Sequence, residues 1–292
     1  MIKIRVPATS ANLGPGFDCL GLALSAYNTF SVEKSDELIL EGFEERFSNE
    51  NNMFVRAYRR AGGTNLHVRF EECGIPVSRG LGSSAAMTSA GILAYHLLNK
   101  SMSRQEVFML AGEMEGHPDN AAPCLFGGLT ACLKDSSGSY VFRRLPLHEK
   151  WHFTVLIPDL EVRTDEARKI LPASYSRSDA AGTAAHAILM CEALRTGDTA
   201  LLKQAAVDVI HEPYRKKLIP HFDTVKTIAE EAVNGVMTIS GSGSACLLIS
   251  DSPLDEKAVR LIRELPENWR VECLHTAEGA QMTEDGTWKA II

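Results

Sequence analysis

No Gly-Lys pair occurs anywhere in the 292-residue chain. That excludes the familiar phosphate loop GxxxxGK followed by Ser or Thr, whose lysine reaches the terminal phosphates. No CxxC pair occurs either. The seven cysteines (Cys19, Cys73, Cys124, Cys132, Cys191, Cys246, Cys273) are scattered, odd in number, and form no His/Cys cluster at zinc spacing. Reduced, mostly buried thiols in a cytoplasmic protein are expected, not a zinc site or a disulfide framework. No apolar run approaches the ~20 residues of a membrane span, and the opening MIKIRVPATS alternates as a strand does, unlike a signal peptide. No dense Lys/Arg run interrupts a net charge of −7, so neither nucleic acid nor a membrane is an expected partner.

What is present is an ordinary globular composition, 45% hydrophobic and 23% charged. The length fits roughly two domains of about 150 residues, with a boundary near Leu145–Lys150 that divides the chain into 1–148 and 149–292. Strands are expected at Ile2–Val6, Gly21–Leu24, Asn28–Glu33, Leu38–Gly42 and Leu66–Phe70, with Pro7–Asp18 as a long polar loop. A helix over Asn51–Ala61 ends at Gly62-Gly63. Ser84–Asn99 is helical, and Ser103-Arg-Gln-Glu106 reads as a capping box that opens a helix to about Glu115. Asp119 or Asn120 caps a short helix, and a hairpin follows over Leu129–Leu133 and Tyr140–Arg144. The second half reads as a strand (His152–Ile157), helices over Thr164–Leu171, Asp179–Arg195, Thr199–Ile210 and Phe222–Val233, strands at Val236–Ile239 and Ala245–Ser250, a helix (Leu254–Leu265) and a strand (Arg270–His275). The pattern is α+β and does not alternate as a TIM barrel would.

The chain is organised around Pro76–Ser89, PVSRGLGSSAAMTS. Gly80 and Gly82 let the backbone approach a ligand. The N–H groups that open the next helix, with its dipole, make an anion site. Gly80-Leu-Gly82-Ser-Ser-Ala85 also matches the dinucleotide pattern on paper. Its context is wrong, because nine residues separate Phe70 from the loop and no acidic residue follows at a second strand end. A loop without lysine leaves phosphate charge to backbone N–H groups, Ser83, Ser84 and Arg79. A triphosphate there calls for Mg²⁺ and hence a carboxylate from elsewhere, with Glu113 and Glu115 as the candidates.

Taken with PATSANLGPGFD at Pro7–Asp18 and ISGSGSA at Ile239–Ala245, PVSRGLGSSAA completes three ordered motifs that resemble those of the GHMP kinases. Within that family GHPDNAAPCLFGG (Gly116–Gly128), ARKILP (Ala167–Pro172) and EPYRKKLIP (Glu212–Pro220) are most similar to the homoserine kinase branch. The resemblance implies a ribosomal S5 domain 2-like N-terminal domain that binds ATP and a ferredoxin-like C-terminal domain. It implies a homodimer, with L-homoserine as the small-molecule substrate, ATP as co-substrate and Mg²⁺.

Carried over residue by residue, it implies that Pro76, Val77, Ser78, Arg79, Gly80, Leu81, Gly82, Ser83, Ser84, Ala85 and Ala86 cradle the nucleotide phosphates. Ser83 and Glu113 hold Mg²⁺, with Glu113 favoured over Glu115 because the family's Gly-Glu pair reads here as Gly112-Glu113. Asn12, Asp18, Arg168 and Arg215 bind the amino acid, and His117, Asp119 and Asn120 line the pocket of the attacking hydroxyl. Asp18 suits an ammonium, and the two guanidinium forks suit a carboxylate. Ser244 stands where the third motif often has proline, which is expected to loosen that turn slightly. Two other readings remain open: a GHMP kinase for another small alcohol such as mevalonate, and a nucleotide-binding member without catalysis.

Overall fold

The computed structural model describes residues 1–292. In chain order its elements are β1 (Ile2–Ala11), β2 (Leu20–Lys34), β3 (Ile39–Glu41), α1 (Met53–Arg60), β4 (Leu66–Cys73), α2 (Ser83–Asn99), α3 (Arg104–Glu115), α4 (Ala121–Phe126), β5 (Leu129–Lys134) and β6 (Tyr140–Leu145). There follow β7 (His152–Ile157), α5 (Thr164–Lys169), α6 (Arg177–Thr196), α7 (Thr199–Ala205), α8 (Glu212–Arg215), α9 (Phe222–Ala232), β8 (Gly235–Ile239), β9 (Cys246–Ser250), α10 (Glu256–Arg263), β10 (Arg270–Leu274), β11 (Gln281–Thr283) and β12 (Lys289–Ala290).

The first sheet runs β12-β11-β1-β2-β4-β3, with β5 added to β2 and β6 to β5. Two short strands expected at Gly21–Leu24 and Asn28–Glu33 are one 15-residue strand. It is long because, opposite β1, its other edge serves two partners: Leu20–Leu22 pair with β5 and Asn28–Lys34 with β4. β1 also runs further than its alternation suggested. Its register with β2 shifts between Pro7 and Ala8, so the proline sits at a bulge, where a missing ladder donor is tolerated. The continuation Ala8–Ala11 then carries a third of the expected loop into the sheet.

The second sheet, β10-β7-β9-β8, is antiparallel throughout. Numbered within its own half, its strand order is 4-1-3-2 with helices between the first and second and the third and fourth strands, the ferredoxin-like split arrangement. The two halves share buried surface. One continuous core of 46 residues runs from Ile4, Phe30 and Ile92 to Phe153, Met190 and Leu247, and a separate core of 12 packs α9 and α10 on the outer face of the second sheet. The chain also ends where it began, since β11 pairs with β1. Arg5 holds that return: its Nε donates to Gln281, and its guanidinium lies 4.3 Å from the Trp288 ring centroid.

Local chemistry sets most helix boundaries. Ser103 and Glu106 form the full capping box of α3. Ser176 and Asp179 form another and start α6 earlier than hydrophobic periodicity suggested. The helix expected over Thr199–Ile210 stops at Ala205. Asp208 explains the break: its carboxylate accepts the N–H groups of Ile210, His211 and Glu212 and so opens α8. That cap places Arg215.

Candidate active site

α2 begins at Ser83 after Gly82, which takes φ +69° as N-cap and supplies no side chain to the free N–H groups. Those groups therefore stay available to an anion. Both loop glycines are forced by crowding. A Cβ on Gly80 would lie 2.2 Å from the Ser240 carbonyl oxygen, and one on Gly82 would lie 1.9 Å from Thr9 Oγ1. The loop is fastened from both halves of the chain. Thr9 N–H donates to the Leu81 carbonyl (3.1 Å), Ala245 N–H to Arg79 (2.8 Å) and the Ser240 hydroxyl to Gly80 (2.7 Å).

A cavity of about 520 Å³ runs along this loop, lined by Val77, Ser78, Gly80, Gly82, Ser83, Ser84 and Ala85 on one side. Pro76, Arg79, Leu81 and Ala86 do not line it. Leu81 and Ala86 belong to the core beneath. Arg79, read from the sequence as a phosphate ligand, turns away: its guanidinium meets Asp159 (3.1 Å) and Glu161 (3.5 Å). An anion at this loop would thus rest on backbone N–H groups, the helix dipole and the two serines. The third motif does not loosen at Ser244. That residue is fully buried, and its hydroxyl donates to the Leu160 carbonyl.

The carboxylate that faces the loop is Glu115. Its Oε1 accepts from Ser84 Oγ (2.8 Å) and Thr88 Oγ1 (2.8 Å), and it lines the cavity. Glu113, preferred on sequence register, is exposed on the opposite side of α3 and outside the cavity. The Gly-Glu pair pointed to Glu113, but two residues along a helix is a turn of about 200°, so only one of these glutamates can face α2. Burial pushes the Glu115 carboxyl above its usual range, and the two hydroxyls offset this only in part. An oxygen-only set around a buried carboxylate, with Oε2 unpartnered, fits a hard divalent cation such as Mg²⁺. Ser84, not Ser83, is the serine that touches it.

In the same cavity Asp18 and Arg168 form a bidentate pair, with Nη2–Oδ1 2.7 Å and Nη1–Oδ2 3.1 Å. Arg215 joins them from α8. Both guanidinium groups lie over the Phe17 ring, at 5.6 and 5.2 Å from its centroid. Arg215 is buried. Its Nε donates to the Ala167 carbonyl (3.2 Å) and its Nη1 to Gly241 (2.9 Å). Burial, then the neighbouring charge of Arg168, pulls its pKa down to about 10. Two cations converging in a cavity favour an anion there.

Asn12 has a narrower place than expected. Its Nδ2 donates to the Gly241 carbonyl (2.8 Å), and its Oδ1 accepts Asp18 N–H (3.0 Å), so both ends of the amide hold loops together. His117 and Asp119 follow the glycine cap of α3, and His117 Nδ1 lies 2.5 Å from Asp119 Oδ1. Burial works against the charged imidazole, but the Asp119 bond and charge outweigh it and raise the His117 pKa above its usual value. Ligand atoms of Asp18, His117 and Asp119 lie within 4.8 Å of one another, yet these carboxylates already hold Arg168 and His117. Asn120 stands at the N-cap of α4 without capping it, because its Oδ1 accepts from Thr9 Oγ1 (2.7 Å).

Sequence reasoning missed Thr9, Phe17 and the Thr88 support of Glu115. It also missed the apolar end of the cavity, where Phe43, Phe47, Met53, Phe70, Ile75 and Met87 provide a surface for a flat ring. No short motif marks those residues, because they come from four separate segments that only the fold assembles.

Residues 51–128 match the model of the GHMP kinases N terminal domain, and residues 190–271 match that of the GHMP kinases C terminal. The chain belongs to the GHMP kinase family. Within it, the chain is 38% identical over 282 residues to a homoserine kinase of Clostridium botulinum, covering 93% of this chain and 94% of that one. The solved homoserine kinase of Cytophaga hutchinsonii superposes with a TM-score of 0.83 at 29% identity, covering 97% of each chain. Mevalonate kinase of L. major in complex with R-mevalonate shares the fold at a TM-score of 0.70 and 15% identity, over 95% of this chain and 96% of that one.

Proposed function

We propose that the protein is a homoserine kinase, which transfers the γ-phosphoryl group of ATP to the side-chain hydroxyl of L-homoserine and releases ADP and O-phospho-L-homoserine for threonine biosynthesis. The observation that carries this is the grouping of Asp18, Arg168 and Arg215 over Phe17, in one cavity with the N-terminus of α2. A zwitterionic amino acid needs one anion and at least one cation within its own length. In this reading Asp18 and Arg168 satisfy each other until the substrate takes both, its ammonium on Asp18 and its carboxylate on Arg168 and Arg215.

Phosphoryl transfer depends more on positioning and charge neutralisation than on a strong base. The N–H groups of α2 and the Ser83 hydroxyl hold phosphate oxygens. Glu115 with Ser84 would hold Mg²⁺, which neutralises charge on the transferring phosphoryl group. The apolar end of the cavity takes the base. Asp119 fixes the His117 ring through Nδ1, and the other ring nitrogen then orients the acceptor hydroxyl, so Asp119 acts through His117. Coupled ADP release with homoserine and mevalonate side by side tests the assignment. Turnover with homoserine is expected, and turnover with mevalonate alone would overturn it.

A further inference from the structure

We propose that Thr9 is a positioning residue for phosphoryl transfer: its hydroxyl fixes the Asn120 side-chain amide so that the NH₂ end serves the phosphates. This rests on the reading of the cavity as an ATP site.

Thr9 lies in the bulged continuation of β1 and is fully buried. Valine has the same shape and a better fit to a buried strand, and a buried hydroxyl without a partner is costly. Here the hydroxyl has one specific partner. It donates to Asn120 Oδ1 at 2.7 Å. An amide has two different ends, so engaging the oxygen leaves Nδ2 as the free donor. No protein acceptor meets that Nδ2, and Asn120 lines the cavity.

The place of this amide is set by a second observation. Asn120 Oδ1 lies 3.2 Å, and Thr9 Oγ1 1.9 Å, from the point where a Cβ on Gly82 would stand. Gly82 is the N-cap of α2. The Thr9–Asn120 bond therefore sits directly against the anion site and excludes any side chain there. Thr9 also fastens the loop through its own N–H to the Leu81 carbonyl. One residue thus holds the phosphate loop by its backbone and, by its hydroxyl, leaves a side-chain donor free beside it. Without the hydroxyl, the amide is free to flip and present its oxygen to phosphate.

The test uses the full chain with Thr9→Val, Thr9→Ser, Asn120→Ala and the double variant Thr9→Val/Asn120→Ala. Two quantities are read: ATP affinity by calorimetry with Mg²⁺, and kcat with homoserine. Thr9→Val and Asn120→Ala are each expected to weaken ATP binding and lower kcat by roughly tenfold, the scale of one hydrogen bond to a charged group. Thr9→Ser should restore both, and the double variant should be no worse than Asn120→Ala. Thr9→Ala carries the same expectation as Thr9→Val should the valine fail to fold. Wild-type affinity and kcat in Thr9→Val, or losses that multiply in the double variant, would overturn the proposal. The binding measurement needs no acceptor, so failure to turn over homoserine overturns only the assignment of the substrate.

Discussion

Asp18→Asn separates two roles for the ion pair with Arg168. If the pair is only structural, its loss appears in stability. If it is a substrate clamp, its loss appears in the KM for homoserine. The substitution is clean. Asp18 has φ +57°, a region that asparagine tolerates, and the bond from Asp18 N–H to Asn12 is a backbone bond that survives. The two side chains are 37% (Arg168) and 36% (Asp18) exposed. A pair that open to solvent contributes about 0.2–1 kcal/mol, and for a chain of this size that lowers Tm by only about 4 °C or less. A substrate ammonium held against the carboxylate inside the cavity is a charge-assisted bond of about 1.5–3 kcal/mol, so kcat/KM for homoserine should fall roughly 10- to 150-fold. The KM for ATP should stay within about twofold, because the phosphate loop is untouched. Thermal melts and coupled ADP release measure both sides. A fall in Tm beyond about 10 °C with homoserine kinetics unchanged would show that the pair is structural, and the clamp reasoning would be wrong.

Glu115→Gln should lower kcat by at least about 100-fold and raise the Mg²⁺ concentration needed for half activity, while Glu113→Gln stays within about twofold; equal effects of the two would refute the placement of the cation. Arg79→Ala should leave the KM for ATP within about threefold, since its guanidinium serves Asp159 and Glu161; a larger rise would mean that it turns to the phosphates on binding. Glu212 is the first residue of α8, and its Oε1 accepts Ile239 N–H at 2.7 Å. Burial pushes its carboxyl from an ordinary 4.5 up to about 7. Between those values the native state keeps a proton that the unfolded chain releases, so stability from this group falls as pH rises through the window, by on the order of 3 kcal/mol in all. Denaturant unfolding from pH 4.5 to 8 should show that slope in the wild type and a flatter one in Glu212→Gln; parallel curves would refute it.

Local folding signals were legible in the sequence where the placement of charged side chains was not. Ser103 with Glu106, and Gly82 before the small residues of α2, are local signals, and the structure keeps them. Charged residues in the motifs were harder to place, because spacing along a chain does not say which face a side chain takes. Glu113 and Glu115 fit the same motif reading, and only the packing of α3 against α2 chooses between them. Arg79 sits in the phosphate loop by sequence, yet Asp159 and Glu161, more than seventy residues away, take its charge. Asn12 lines the cavity, but its amide also ties Gly241 to Asp18 N–H, a structural bond that no motif announces. The return of β11 to β1 was invisible for a related reason: three residues from the end of a chain carry no pattern that names a partner at its start.

The third motif shows why loops can mark a site without lining up on its ligand. Gly241 and Ser242 do border the cavity, but the motif's main work is to lock the other two in place. The Gly241 carbonyl accepts from Asn12 and from Arg215, and Gly241 N–H donates to Ala11. Ser240 and Ala245 hold the phosphate loop at Gly80 and Arg79. These strands and loops cross at backbone distance, with space for no Cβ at Gly80. Glycine at such a crossing answers to neighbouring backbone as much as to phosphate. On the proposed reading the acceptor clamp and the phosphate cradle share one support, and a side chain introduced at Gly80 would disturb both at once, raising KM for ATP and for the acceptor together instead of one alone.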